Sequence, residues 1–422
     1  MPPNVLIIAP DAVPLPVTDK NRHGTGCGIR AWRMARFLTG RGFGVKLAVP
    51  DLNYTPFTGD VGFAVEPYDY YREEKESTPE LVSMLQAADI VICQPGKKSA
   101  SRTVAEATPA AATLILDLWV PNHVEYIPSI QRHGTEEERD RMYRAWSETV
   151  MDPLLNRADL FLYGHERQKY YYIGLLCQLG RINPVTYDRR IMIKVPYGLP
   201  VDGGGKKSRR KPPTLRPMRD TICPENSFIV LWFSGVYPWF DLATPIRAVE
   251  LAARKNPAIV LVVKGGVHPL YRKGSSLAVA RGKEIADDLG LLGKRIFFDD
   301  EWCPQEEKSL WLQDADVAVV AGRDTYESEL ACRVRSLDFV DHGLPLVNSG
   351  GDYIGELLAG HGLASVFSSG DVPGLARILT DLSRDPRLKP RIKRRLAAFK
   401  REFAWERCLE PLGSWLDDNV AR

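Results

Sequence analysis

Residues Tyr326–Asp352 read YESELACRVRSLDFVDHGLPLVNSGGD. Glu327 and Glu329 open the stretch, and Arg333, Arg335 and Asp338 follow. Gly343-Leu344-Pro345 then leads into an apolar Leu346-Val347 and a Gly-rich loop. This order predicts an acidic loop, a helix, a tight turn, a buried strand and a loop. It gathers both signs of charge at a helix start beside strand ends, where open α/β sheets bind ligands.

The chain around that stretch has 422 residues, too many for one ordinary core, so two domains are expected. Hydrophobic residues make up 44% and charged residues 26%, as in a water-soluble globular protein. The net charge of +3 argues neither for nor against nucleic acid. The seven cysteines are scattered without a CxxC pair, which argues against a zinc site or a disulfide framework and fits a reducing cytoplasm. No apolar run approaches the ~20 residues of a membrane span. Val5–Ala9 is too short for a signal-peptide core and reads as a first strand. Peripheral membrane contact stays open.

Upstream, strands and helices alternate. Strands are predicted at Val5–Ala9, Val45–Val49, Ile90–Cys93, Leu114–Leu116, Leu160–Tyr163 and Ile191–Val195. Helices are predicted at Ile29–Leu38, from a Thr78 cap to Ala87, about Thr135–Arg157 and Glu166–Leu179. Residues 201–226, with Gly203-Gly204-Gly205 and KKSRRKPP, read as a linker or exposed loop. No aromatic residue is interleaved with those charges, so nucleic acid is not an expected partner. The alternation restarts with strands at Phe228–Phe233, Ile259–Val263, Ile296–Phe298, Val317–Val320 and Leu344–Val347, and Asp241 can cap a helix to Ala253. The expected fold class is α/β, two facing Rossmann-like domains with an interdomain cleft. The divisions are 1–200, a linker at 201–226, 227–387, and terminal helices at 388–422 that pack back on the first domain.

Four segments place chemistry at strand ends. Gly26, Cys27 and Gly28 precede a helix, where backbone N–H groups attract a diphosphate or simply close a tight turn. Their spacing is not the dinucleotide fingerprint. Asp117, Trp119, His123 and Glu125 follow a strand end; the His either orients ligand hydroxyls or serves as a structural hydrogen-bonder. Gly235 lies in a second strand-to-helix loop whose aromatics read as core or as a site wall. Lys264 ends a strand beside two glycines and reads as a phosphate contact. Asp299-Asp300-Glu301 points to different sides of the chain, so a loop is favoured over a metal site, with Trp302 near a base.

At these residues the chain resembles glycosyltransferase family 4, retaining enzymes of the GT-B fold. The segments GCGIRAWRMARFL with VKLAVP, ILDLWVPNHVEY, RQKYYYIGLL with KVPYGLP, SGVYPWFDLATPIRAVEL and RVRSLDFVDHGLPLV carry the likeness, the last four of them to a bacterial branch. The resemblance implies a nucleotide-diphosphate-sugar donor held by the C-terminal domain. A carbohydrate, lipid-linked or small-molecule acceptor would bind the N-terminal domain, with Asp117, Trp119 and Glu125 on its side. It implies retention, no metal and no other cofactor. Asp338 stands where the family's ribose-binding acid is expected, and Glu327 matches the acid that contacts sugar hydroxyls, after a longer gap. His123 would orient the sugar. The family's Arg and Lys after the first C-domain strand are replaced here by Tyr237-Pro238-Trp239. Arg333, Arg335 and Lys264 are the candidates to bind diphosphate instead, or else they pair with nearby carboxylates. Rival readings are a pseudoglycosyltransferase or nucleotide-sugar epimerase on the same fold, and a non-catalytic sugar-nucleotide-binding partner.

Overall fold

The computed structural model of the chain describes residues 2–15, 24–57, 59–69, 79–131, 133–200, 216–219, 221–266, 272–303 and 305–420. The expected cap Thr78 and residues 201–215 of the expected linker lie outside them. The chain divides into two units, Met1–Gly198 with Phe403–Arg422, and Leu199–Glu402.

The first unit is built on seven strands: β1 (Asn4–Ile8), β2 (Gly44–Pro50), β3 (Ala64–Tyr68), β4 (Ile90–Cys93), β5 (Thr113–Asp117), β6 (Leu160–Tyr163) and β7 (Met192–Lys194). They form one parallel sheet in the order β3-β2-β1-β4-β5-β6-β7. Every residue of β4 and β6 is buried, as strands covered by helices on both faces must be. The helices are α1 (Gly26–Gly40), α2 (Pro79–Gln86), α3 (Lys98–Ala107), α4 (Asn122–Ile130), α5 (Glu136–Trp146), α6 (Asp152–Arg157) and α7 (Glu166–Gln178). Between α5 and α6 the chain makes a π-helical turn, Ser147–Met151. Strand β3 escaped the sequence pattern because AVEPY is short and carries Pro67, which an edge strand tolerates.

The second unit repeats the plan with β8 (Phe228–Phe233), β9 (Ile259–Lys264), β10 (Ile296–Asp299), β11 (Val317–Val320), β12 (Leu346–Ser349) and β13 (Ala364–Phe367), in the parallel order β10-β9-β8-β11-β12-β13. Its helices are α8 (Ala243–Ala253), α9 (Arg272–Asp288), α10 (Gln305–Asp314), α11 (Tyr326–Leu330), α12 (Val334–Asp341), α13 (Tyr353–Gly360), α14 (Val372–Leu382) and α15 (Leu388–Glu402). In each sheet the strand order reverses beside the first strand, between β1 and β4 and between β8 and β11. In open α/β sheets, the carboxyl ends of the strands at such a reversal are where ligands bind.

Two expected divisions shift. Residues 216–226 were read as linker, yet Met218 is fully buried and the backbone N–H groups of Met218 and Arg219 donate to Asp314 Oδ2. The Arg219 guanidinium also pairs with Asp314 (2.7 Å) and with Asp316, so this segment is part of the second unit. Helix α15 was expected on the first unit. It belongs to the second, because it buries Leu388, Ile392, Leu396 and Phe399, and Lys389 donates to Ala315 O while Lys400 meets Asp341. Only the last helix, α16 (Trp405–Asn419), belongs to the first unit. Arg41 of α1 pairs there with Glu410 (2.9 Å) and Asp417 (2.7 Å) of α16.

The first unit is knit by a buried ion pair. Arg30 on α1 donates through Nε and Nη2 to both oxygens of Asp117 at the end of β5 (2.7 and 2.9 Å). Two of its three remaining donors reach Val195 O (2.9 Å) and Pro196 O (3.3 Å), just beyond β7. Both side chains are fully buried. Removing one partner strands the other charge away from water. Arg30→Ala should therefore lower the stability of this unit by about 3–5 kcal/mol. Pairing Arg30→Met with Asp117→Leu should restore most of it. Urea unfolding of the three proteins checks both outcomes.

Candidate functional site

In the first unit, Gly26, Cys27 and Gly28 form the first turn of α1, capped by Thr25 Oγ1, which accepts from Gly28 N (3.2 Å). A Cβ on Gly28 would lie 1.8 Å from Ala12 O, so the glycine permits the loop after β1 to press against the helix start. Thr25 N donates to that same Ala12 O (2.9 Å). Burial and then the negative charges of Asp11, Glu125 and Asp117 push the Cys27 thiol well up, against the charge of Arg30.

The segment after β5 departs from expectation. It turns into α4 at Asn122, so His123 and Glu125 lie on a helix and not in a loop. Asp117 lies inside the fold, with both its oxygens accepting from Arg30. Trp119 is buried too, its Nε1 donating to Gln94 Oε1 (2.9 Å) and its ring packed on Tyr197 at 5.3 Å. Both therefore shape the unit's interior. His123 is buried, its Nε2 is 3.4 Å from Ser147 Oγ, and its Nδ1 has no hydrogen-bond partner among the described residues. Burial holds its pKa below the usual imidazole range, with Asp152 opposing in part. Glu125, in the first turn of α4, is half-buried.

In the second unit the loops after β8 and β11 meet at the strand reversal. These loops are tied together: Asp241 N donates to Ala321 O (2.9 Å), Arg323 N donates to Trp239 O (3.0 Å), and Phe240 bridges to Gly322. Asp241 caps the start of α8 through Thr244 N (3.1 Å), as expected from sequence. At the head of the β8 loop Ser234 holds φ 92°, which a non-Gly residue adopts only at a cost of order 1–3 kcal/mol. Strain of that kind concentrates at ligand sites.

The two arginines of the opening stretch separate into different roles. Arg333 makes a two-pronged pair with Glu327 (2.7 and 2.5 Å) and reaches Ser328 Oγ (3.3 Å), all buried. Arg335 has no carboxylate partner among the described residues. One of its N–H groups donates to Gly235 O (3.0 Å), and its guanidinium lies 4.1 Å from the centroid of Phe240 and 5.7 Å from that of Tyr237. Burial pushes its pKa down to about 10, the nearby Arg333 charge acting in the same direction, and it stays a cation at neutral pH. Four of its five donors remain for a ligand. The neighbouring Tyr237 and Trp239 rings stack at 4.9 Å with 12° between planes.

Lys264 ends β9, but its ammonium pairs with Asp299 (2.8 Å) and sits 4.5 Å over Trp311, so it is held within the fold and not presented to a phosphate. Trp302 is half-buried and packs near Gly265. Asp338 lies on α12, paired with Lys308 and nearly half exposed. Among the described residues no group of three or more His, Cys, Asp or Glu could hold a metal ion.

Sequence reasoning passed over Asp352. It caps α13 through Ile354 N (3.0 Å) and accepts from Asn348 Nδ2 (3.1 Å), whose Oδ1 accepts from Ser336 Oγ (3.3 Å). The signal available was Gly350-Gly351 after a buried strand. Burial pushes Asp352 up to about 6, against the opposing charge of Arg333. This folded value lies above the ordinary 3.8, so folding favours the protonated form and stability falls as pH rises from about 4 through about 6. Asp352→Asn keeps an effective cap. It should flatten that slope and stabilise the protein by about 1–3 kcal/mol above pH 6. Chemical denaturation at pH 4.5 and 7.5 measures the difference.

No protein-family model matches this chain, and no curated protein matches it. Solved structures do. A UDP-forming α,α-trehalose-phosphate synthase from Burkholderia xenovorans aligns at TM-score 0.68 and 13% identity, over 100% of each chain. HepE from Anabaena, in complex with UDP and glucose, aligns at TM-score 0.64 and 14% identity over 99% of this chain and 100% of its own. Sucrose-phosphate synthase from Thermosynechococcus elongatus aligns at TM-score 0.60 and 15% identity, over 99% and 98%. Likeness of this extent, spanning both parallel sheets, gives the chain the two-domain α/β architecture of the GT-B fold.

Proposed function

We propose that this protein is a glycosyltransferase that moves a sugar from a nucleotide-diphosphate-sugar to an acceptor hydroxyl, with retention at the anomeric carbon and without a metal. The observation that carries the reading is Arg335, a cation without a carboxylate partner among the described residues, at the strand reversal of the second unit and seated on Phe240 beside the strained Ser234. A guanidinium with unused N–H groups suits a diphosphate, which it can bind through two parallel hydrogen bonds. It lies in the first turn of α12, whose N-terminus adds backbone N–H groups and a favourable dipole. The solved structures with this fold include one holding UDP and glucose and one described as UDP-forming, which makes UDP the first nucleotide to test.

Transfer places negative charge on the leaving diphosphate. Arg335 and the helix terminus would stabilise it as it develops. Glu327 is held by Arg333 through one lone pair of each oxygen, which leaves acceptor capacity for sugar hydroxyls. Asp338 remains the candidate for the ribose. No protein nucleophile is required if the acceptor attacks from the leaving-group face and the departing phosphate takes its proton. In the first unit, the Nδ1 of His123, without a partner among the described residues, suits a sugar hydroxyl.

Two measurements test the reading. UDP should raise the thermal unfolding temperature of the wild type, and Arg335→Met should abolish that shift. With a panel of UDP-sugars, Arg335→Met should lower transfer or donor hydrolysis at least ~100-fold, while a chelator leaves it intact. Binding without turnover, or a C2 epimer as product, would displace transfer in favour of the rival readings.

A further inference from the structure

The π-helical turn Ser147–Met151 brings together two side chains that an α-helix would keep apart. In an α-helix residues five apart point about 140° away from each other. Here Asp152 N donates to Ser147 O in the wider i→i+5 ring, so both side chains share one face. Ser147 Oγ lies 3.2 Å from Asp152 Oδ1 and 3.4 Å from His123 Nε2.

Proton bookkeeping fixes the direction of this chain of groups. An ionised Asp152 can only accept, and Ser147 has one hydroxyl proton. That proton goes to Asp152, so Ser147 Oγ is left to accept from His123, whose Nε2 must carry hydrogen. Burial lowers the ring's pKa, with Asp152 opposing in part, which favours the neutral ring. A neutral ring protonated at Nε2 presents a bare lone pair at Nδ1, the atom left without a partner among the described residues. Trp146 meets the imidazole edge to face at 5.5 Å, and Tyr126 stacks on Trp146 at 4.5 Å, which fixes the ring plane.

We infer that Ser147 and Asp152 are positioning residues for His123: they hold it as the Nε2–H tautomer, so that Nδ1 accepts a hydrogen bond from a ligand hydroxyl. The ligand class is a polyol such as a sugar, and this part rests on the proposed transferase reading. A donor reaching Nδ1 would satisfy a buried acceptor whose unpaired state is costly. The long contact at Nε2 would shorten as the site fills.

The test uses the full chain with 15N-labelled histidine, His123 being assigned by the signal lost in His123→Gln. Long-range 1H–15N spectra at pH 7.5 should show His123 protonated at Nε2. Asp152→Asn can meet Ser147 through either its N–H or its carbonyl oxygen, so the ring should become a mixture of the Nε2–H and Nδ1–H forms. Ser147→Ala should give a mixture of the two forms, and Ser147→Thr should retain the wild-type form. With UDP-sugar, Asp152→Asn should lower kcat with little change in KM. A wild-type ring protonated at Nδ1, or a tautomer unmoved by Asp152→Asn in a protein that still unfolds cooperatively, overturns the inference even if turnover falls. The spectra need no turnover, so a failure of the transferase reading leaves this test standing on its own.

Discussion

A guanidinium taken out of water is costly unless its charge and its N–H groups are met, and that constraint organises both units. In the first, Arg30 is fully buried and donates to Asp117, Val195 O and Pro196 O. One side chain thereby joins α1, the end of β5 and the segment beyond β7. In the second, Arg333 performs the equivalent service between α11 and the start of α12, clamping Glu327 from both oxygens. Each pair lies at the carboxyl ends of a parallel sheet, where ligands bind in open α/β sheets and where a misplaced charge would otherwise draw water in.

Set against those satisfied arginines, Arg335 differs in kind. It stands two residues from Arg333 and on the same aromatic ring, Phe240, yet it has no carboxylate partner among the described residues. The two cations press on one another, which raises the cost of leaving Arg335 unmatched. A fold tolerates such a cost where a ligand's charge offsets it. The loop after β8 supplies the ring and the carbonyl on which the cation rests, and α12 supplies the cation.

The sequence made the layout legible because parallel strands covered on both faces are continuous apolar runs, and β4, β6, β8 and β11 match their expected bounds. Pro67 hid β3, and the mixed composition of KSASRTVAEA hid α3. The candidate site was less legible for a different reason. A sequence shows that Asp117 and Lys264 are charged and lie at strand ends, but not that their partners wait 87 residues upstream and 35 downstream. Arg333 and Arg335 looked interchangeable until their hydrogen bonds separated them. Asp352 was invisible as an ionisable group of interest because its burial follows from Asn348 and Ser336 closing over it.

The π-helical turn extends the same lesson to backbone geometry. The segment from Thr135 to Arg157 reads as one helix, since nothing in SETVMD forbids α-helical dihedrals. One widened turn changes which residues face His123, and so changes which ring nitrogen carries the proton. A π turn closes its hydrogen bonds less favourably than an α turn, so its retention needs a compensating interaction. The Ser147–Asp152 contact is one such compensation on the helix side, and the orientation of a buried imidazole is the consequence it has for the site. Tautomer choice in this chain is thus set by helix register, through a serine whose single proton can go only one way.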